Sequence, residues 1–376
     1  MRGGGLRASS PHGVSIMTSL ETPTAPSIPK APKRPSGGGL WRYILWRAVL
    51  IIPTVFILVT MVFLLMRTIG DPITASVGGK LPPDELARRI ADAGYDRPVF
   101  VQYIEYLGQV FTGNFGTTLS DHRPVTEVIM TFGSATLELA FFTLIVAFIV
   151  GIPLGMLAAY YRDRGPDASL RIFAILTYAT PVFFSGLLMK LVFGVWLGWF
   201  PLSGRASIAT ELQIEMLGNP SGFYLIDAFR TGNMANVGDV LMHAVLPALT
   251  LGLMTAGVFL RLVRTNMIGT LGREYIDSGR SRGVTEFRLV TKHAYRPALI
   301  PIITVIGMQI AMLLAGAVLT ETTFEWKGLG FQLAHYLSAR DFIAVQGIVA
   351  LLAVIVALSN FIVDIIAALI DPRVRY

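Results

Sequence analysis

Long apolar stretches alternate with short charged ones along this chain. Six of them, at 44–66, 134–159, 170–199, 240–260, 299–320 and 345–370, reach the roughly 20 helical residues that cross about 30 Å of hydrocarbon. Backbone N–H and C=O groups in lipid must be satisfied inside the segment that carries them, so each stretch is expected to be a helix. The pattern predicts an all-α, polytopic membrane protein with six transmembrane helices. The polar insertion at 67–133 is too long for a turn and has a periodicity of its own. Pro82-Pro83-Asp84-Glu85 places proline in a first helical turn and acids at the positive end of the dipole, with Leu86, Ile90 and Ala93 following at helical spacing. Pro98, Val99, Tyr103, Tyr106, Leu107 and Val110 mark a second short helix, before the stretch Thr112-Gly113-Asn114-Phe115-Gly116. The insertion is expected to be a small folded cap, not a separate domain.

Charge orients these elements. The 67–133 insertion carries six Lys/Arg against eight Asp/Glu, and 199–239 carries two against four. The other side collects Lys30, Lys33, Arg34, Arg42 and Arg47 before the first span and Arg162, Arg164 and Arg171 between the second and third. It also holds eight Lys/Arg from Arg261 to Arg296. By the positive-inside rule the acidic loops are external and both termini cytoplasmic. With 53% apolar and only 15% charged residues, the composition lies outside ordinary soluble usage. The net charge of +7 sits in short loops and in the N-terminal tail, which points to topology and away from nucleic acid. The absence of cysteine excludes disulfides and thiolate metal sites.

Residues 1–39 are rich in Pro, Ser and Gly and hold too little apolar surface to fold, so a disordered cytoplasmic tail is expected, with Met17 a candidate alternative start. No signal peptide is expected, because the first apolar run begins at Ile44 and has full spanning length. That leaves 40–376 as the membrane domain.

Two motifs imitate catalysis. Gly279-Arg280-Ser281-Arg282-Gly283 matches G-x-S-x-G, yet the residues before Ser281 are polar and cannot form the apolar strand of a nucleophile elbow. Gly78-Gly79-Lys80 imitates the end of a phosphate loop, but Thr74 and Leu81 stand where Gly and Ser/Thr are required. The five histidines, at 12, 122, 243, 293 and 335, are too scattered for a local metal motif. No catalytic residue, metal or cofactor is therefore assigned to this chain.

The basic segment at 268–298 is more informative. Residues 274–282 form a predicted helix ended by Gly283, and Thr285 is the expected cap of a second helix running towards Arg296 with Phe287, Val290 and Ala294 along one side. Glu274, Tyr275, Ile276, Arg280, Gly283, His293, Ala294, Arg296, Ala298 and Pro301 match, in order and spacing, a motif that this segment resembles. It is the EAA loop of bacterial ABC-importer permeases of the dipeptide/oligopeptide/nickel family. Gly279 and Ser281 replace two alanines of that pattern, Arg282 a lysine, Tyr295 a leucine and Pro297 an asparagine. Pro297 removes a backbone donor and is expected to end the second loop helix.

Other blocks are similar to the same family: Asp96-Arg97-Pro98-Val99 and Gln102-Tyr103; Gly113 to Leu119; Arg123-Pro124-Val125; Thr180-Pro181-Val182-Phe183; and Leu246-Pro247-Ala248-Leu249-Thr250. So are Glu321-Thr322-Thr323-Phe324 with Gly328-Leu329-Gly330, and the terminal 371–376 block. The resemblance implies one of two permease subunits forming a heterodimeric pore in the bacterial inner membrane. Two cytosolic ATPases would carry ATP and Mg and dock on the EAA loops, and an extracytoplasmic binding protein would deliver a peptide to the cap side. Coupling would then run through Glu274, Tyr275, Gly279, Arg280, Ser281, Gly283, His293 and Arg296.

Polar residues inside or at the ends of spans are Glu138, Lys190, Gln309, Glu321, Asn360 and Asp364. Glu138, Gln309 and Glu321 are the candidates for the substrate pathway, while Lys190 and Asp364 suit snorkelling or pairing between helices. Gly151/Gly155 and Gly194/Gly198 are expected to be small-residue packing faces. Contact of the basic segments with membrane lipid is also expected. A nickel or other non-peptide importer on the same scaffold, and less readily a six-helix channel or intramembrane enzyme, are the alternatives.

Overall fold

The computed structural model describes residues 39–70, 73–74 and 81–370. The tail through residue 38 with Met17, the Gly78-Gly79-Lys80 triplet and the terminal 371–376 block lie outside these residues. The helices are α1 (Gly39–Ile69), α2 (Pro83–Asp92), α3 (Val99–Phe111), α4 (Val125–Tyr160), α5 (Gly165–Ala179) and α6 (Val182–Met189), which continues as a π-helical turn Lys190–Trp196. They are followed by α7 (Ile208–Glu215), α8 (Tyr224–Arg230), α9 (Met234–Leu271), α10 (Glu274–Ser281), α11 (Tyr295–Phe324), α12 (Leu329–Ser338) and α13 (Phe342–Ile370). Among the described residues, α1, α4, α9 and α13 are long and apolar enough to cross a membrane, with the bent pair of α5 and α6 a fifth candidate. α11 is an unbroken helix of 30 residues over the expected fifth span.

The centre of the bundle is the pair α4 and α9, which makes the most extensive helix–helix contact. Their close approach is a matter of missing side chains. A Cβ on Gly151 would lie 2.8 Å from the Ala256 carbonyl oxygen, and one on Gly155 2.8 Å from that of Leu260. Because position 151 meets 256 and position 155 meets 260, the two helices run parallel and their C-terminal ends lie together. α11 packs on α9 and α13, α5 on α9, and α1 on α13. α1 is the outermost, exposing Leu45, Ile52, Phe56 and Leu64 to what lipid must cover.

Two expectations change. The third apolar stretch is not one straight helix: α5 ends at Ala179, Pro181 precedes α6, and the two axes differ by 106°. Proline denies the backbone donor that would continue α5, and the Thr180 N–H bonds back to Leu176 in its last turn. Gly194 and Gly198 do not form a helix–helix face either. Gly194 sits in the π-helical turn against Leu202, and Gly198, with φ +63°, reverses the chain after it.

The cap forms helices at both predicted places. Phe63 of α1 lies 5.5 Å from the Tyr106 ring and 5.2 Å from that of Tyr103, and the Thr60 and Tyr103 hydroxyls are 2.6 Å apart, fixing α3 against α1. The loop after α3 is fastened at a distance by one buried carboxylate. Asp341 Oδ2 accepts the N–H groups of Leu119 (2.6 Å) and Ser120 (2.9 Å), while its Oδ1 accepts the N–H of Ala344 in the first turn of α13. Tyr336 donates to Asp121 at 3.0 Å beside it. Burial alone would raise the Asp121 carboxyl, but the bonds from Thr118 and Tyr336 and the nearby Arg123 charge hold it below its ordinary value.

Gly155→Val should force α4 and α9 apart, with an overpacking cost of about 1–3 kcal/mol. A thermal melt of the purified protein in detergent checks it, and an unchanged midpoint would contradict the close-packing account.

Candidate functional site

At the end of the bundle opposite the cap, α9 stops at Leu271 and the basic segment begins. α10 carries Glu274 and Asp277 near its positive end and Arg280 in its last turn, in keeping with the dipole. It ends in a paired-bond reversal: the Gly283 N–H bonds to the Arg280 carbonyl (3.0 Å) and the Val284 N–H to that of Gly279 (3.2 Å). Gly283 has φ +80° and open space around its α-carbon, so the demand for glycine is conformational, not steric. At Gly279 the reverse holds, since a Cβ there would come within 2.9 Å of Leu289 Cδ2.

The second loop helix differs from its expected form. Thr285 precedes it but its side chain makes no capping bond, and only Glu286–Arg288 is α-helical before a π-helical stretch, Leu289–Ala294. That stretch runs directly into α11, and Pro297, although it removes a backbone donor, lies within the continuous helix and does not end it.

The segment has two faces. Ile276, Leu289, Val290 and Ala294 are buried in one cluster with Phe259, Val263 and Met267 of α9 and Ala159 of α4. Glu274, Tyr275, Arg280, Ser281, Gly283, His293 and Arg296 are exposed, together with Phe287, and Gly279 is half-buried between the faces. Arg280 bonds Asp277 (2.6 Å) and Glu286 (2.5 Å), which ties α10 to the start of the next turn. The Arg280 bond holds the Glu286 carboxyl below its ordinary value. Ser281 Oγ donates to the Asp277 carbonyl at 3.0 Å. The result is a knob: an apolar underside seated on α9, and a polar outer face with two aromatic rings.

A second group of polar residues lies towards the cap end of α4. Glu138 is buried and accepts Arg205 Nη2 at 2.6 Å and the Leu225 N–H at 2.7 Å. Arg205, also buried, donates to the Gly222 carbonyl at 2.8 Å, and its guanidinium carbon lies 3.7 Å from the Tyr224 ring centroid and 5.5 Å from that of Trp326. Two residues before Glu138, the Thr136 hydroxyl donates to Glu321 Oε1 (2.7 Å) and accepts the Leu329 N–H (2.8 Å). Glu321 Oε2 accepts the Phe331 N–H at 2.9 Å. Thr136 and Glu321 thus satisfy the free N–H groups at the start of α12. Gly328 makes room for this, since a Cβ there would sit 2.5 Å from the Glu321 carboxylate.

Glu138 and Glu321 therefore meet through one turn of α4. Gln309 is buried in α11 twelve residues before Glu321, about 18 Å away along the axis, and does not join them. Lys190 donates to the Thr323 carbonyl at 2.9 Å at the C-terminal end of α11, and Asp364 pairs with Arg47 of α1 at 3.2 Å. Arg205, Thr136 and Asp341 were not singled out from the sequence. Their partners lie 67, 185 and more than 200 residues away, and no local pattern marks them.

A bundle of long apolar helices, a folded cap at one end and a two-faced basic knob at the other defines a polytopic membrane protein. The comparisons narrow the class. A family described as "Binding-protein-dependent transport system inner membrane component" matches residues 151–376, and its N-terminal companion matches 40–140. The chain is 36% identical over 336 residues, 89% of its length, to the di/tripeptide transport system permease protein DppB of Pseudomonas aeruginosa (strain UCBPP-PA14), covering 98% of that protein. It is 37% identical over 338 residues to the dipeptide transport system permease protein DppB of Escherichia coli (strain K12), covering 89% of this chain and 99% of that one. To the glutathione transport system permease protein GsiC of Salmonella choleraesuis (strain SC-B67) it is 32% identical over 335 residues, covering 89% and 99%. The chain belongs to the binding-protein-dependent transport-system inner membrane components, as an ABC-importer permease of the dipeptide/oligopeptide family. It is a multi-pass inner-membrane protein.

Removing either partner of the Glu138–Arg205 pair leaves a buried charge uncompensated, at a cost of about 3–5 kcal/mol. Glu138→Met and Arg205→Met should each lower the melting temperature sharply, and the double variant should be more stable than the sum of the singles predicts. Additive singles would show that the pair is not coupled.

Proposed function

We propose that this chain forms half of the translocation pore of an importer for di- or oligopeptides. It works beside a second, homologous permease, with two cytosolic ATPases bearing ATP and Mg, and with an extracytoplasmic binding protein that delivers the peptide to the cap. The observation that carries this reading is the two-faced knob. Ile276, Leu289, Val290 and Ala294 pack against α9, while Glu274, Tyr275, Arg280, Phe287, His293 and Arg296 are exposed to a partner. The relatives named as peptide permeases support the substrate class.

In this reading residues 67–133 are external and both termini cytoplasmic, and the acidic cap loops and basic knob at opposite ends support it. The chain itself catalyses nothing, binds no metal or cofactor and has no nucleic-acid partner; energy enters when the ATPases close and draw the paired knobs together. Arg296, and Arg280 on giving up Asp277 or Glu286, offer charge-assisted bonds to acidic or carbonyl groups of the ATPase, and Glu274 one to a base. Closure switches the pore from inward-open to outward-open, and hydrolysis resets it. Glu138, Gln309 and Glu321 remain the proposed polar contributors near the pathway.

Three measurements test the proposal. Gly283→Val should insert normally yet lose most transport and ATPase assembly, because a β-branched residue resists a left-handed backbone that costs even ordinary residues about 1–2 kcal/mol. Gly283→Asn should keep more of both, and equal, normal transport by the two variants would sink the assignment. A cysteine at Ser120 should react with an impermeant thiol reagent in cells stripped of outer barriers, and one at Ser278 should not; the opposite labelling overturns the topology. In proteoliposomes holding both permeases and both ATPases, peptide-loaded binding protein should stimulate hydrolysis, and Ser281→Ala should retain substantial transport. Hydrolysis of ATP or peptide by the purified chain alone would count against the proposal.

A further inference from the structure

α5 and α9 meet closely where Gly257 faces the Ala174 carbonyl, and beside that contact lies a groove of about 400 Å³. Its wall is apolar, formed by Ala174, Ile175, Tyr178 and Leu260, and its rim carries three guanidinium groups, Arg171, Arg261 and Arg264. One carboxylate answers them. Asp167 accepts Arg264 at 2.6 and 2.7 Å and lies 3.8 Å from Arg171, so three positive charges less one negative leave a net +2. Asp163, the next acid, is already paired with Arg162 at 3.1 Å. Arg261 is exposed and stacks 5.4 Å from the Tyr178 ring centroid, which holds its charge over the apolar wall without neutralising it.

The depth of these charges is informative. Arg261 is the first charged residue after the apolar run of α9, and Arg171 the last before the apolar run of α5. Both therefore stand where hydrocarbon gives way to headgroups. On the outward side, α5 exposes Ile172, Ile175, Leu176 and Tyr178, a face suited to acyl chains.

We propose that this groove is a binding site for an anionic phospholipid, its phosphate held by Arg261 and Arg171 and one acyl chain lying along Ile175 and Tyr178. A net +2 rim favours a headgroup of net negative charge over a zwitterion, which brings a cation of its own. The bidentate Asp167–Arg264 pair fixes the two helices so that the rim is set before the lipid arrives.

The test uses the assembled complex of both permeases and both ATPases, stripped of lipid in detergent. It is titrated with phosphatidylglycerol, with phosphatidylcholine of the same chains, and with inorganic phosphate. Thermal melting and native mass spectrometry provide the readouts. Phosphatidylglycerol should raise the melting temperature and remain bound, and Arg171→Gln/Arg261→Gln should weaken its apparent affinity about tenfold or more. Arg261→Lys, which keeps the charge, and Arg282→Gln in the knob should each retain the lipid. Equal binding of phosphatidylcholine, an equal effect of phosphate alone, or an unchanged affinity in the double variant would each overturn the site. As an independent measurement, a cysteine at Ile175 in this cysteine-free chain should be labelled by thiol-reactive phosphatidylglycerol in the assembled complex. Crosslinking of that cysteine to the second permease instead would make the groove a protein interface and refute the lipid.

Discussion

Backbone polar groups at the helix ends inside the bundle have to find partners, and much of the long-range architecture follows from that demand. A straight helix meets it internally, but this chain breaks its helices at Pro181, at Glu325 and again before α13. Each break leaves N–H or C=O groups that lipid cannot satisfy. The solutions are side chains, some close in sequence and some far away. Lys190 takes a terminal carbonyl of α11, Thr136 and Glu321 take the first N–H groups of α12, and Asp341 serves both the first turn of α13 and the cap loop. Polar residues that looked like candidates for a pathway are thereby also the joints of the fold.

This double duty explains what could be read from the chain and what could not. The apolar stretches, the cap helices and the knob are local: each depends on residues within a few turns, and composition and spacing reveal them. The resemblance blocks Glu321-Thr322-Thr323-Phe324 and Gly328-Leu329-Gly330 were visible as strings, but their meaning was not. Only in three dimensions does Gly328 become the space that the Glu321 carboxylate fills. The Glu138–Arg205 pair joins a membrane helix to a loop 67 residues on, and Arg205 reads as an ordinary loop charge until the chain folds. At Pro181 the helix breaks, and the 106° bend goes with what α6 packs against, including Gly186 on Phe324 and Thr323 of α11. Pro297 is a related case: its missing donor costs one backbone bond, and the helix continues through it from the π-helical stretch before.

The knob shows the same economy at the other end. Its underside is held by apolar burial alone, through Ile276, Leu289, Val290 and Ala294, so its polar outer face needs no internal partners beyond the Arg280 pairs. A surface arranged this way can exchange partners without disturbing its own fold.

The absence of a break between Leu289 and Phe324 has a mechanical meaning. The knob's second half and the helix that ends beside Glu321 form a single rod, of which α11 alone spans about 45 Å. A rod does not absorb a push by bending at a hinge; it turns or slides as a whole. Torque applied at the knob is therefore felt at the opposite rim, where Glu321 holds the first turn of α12.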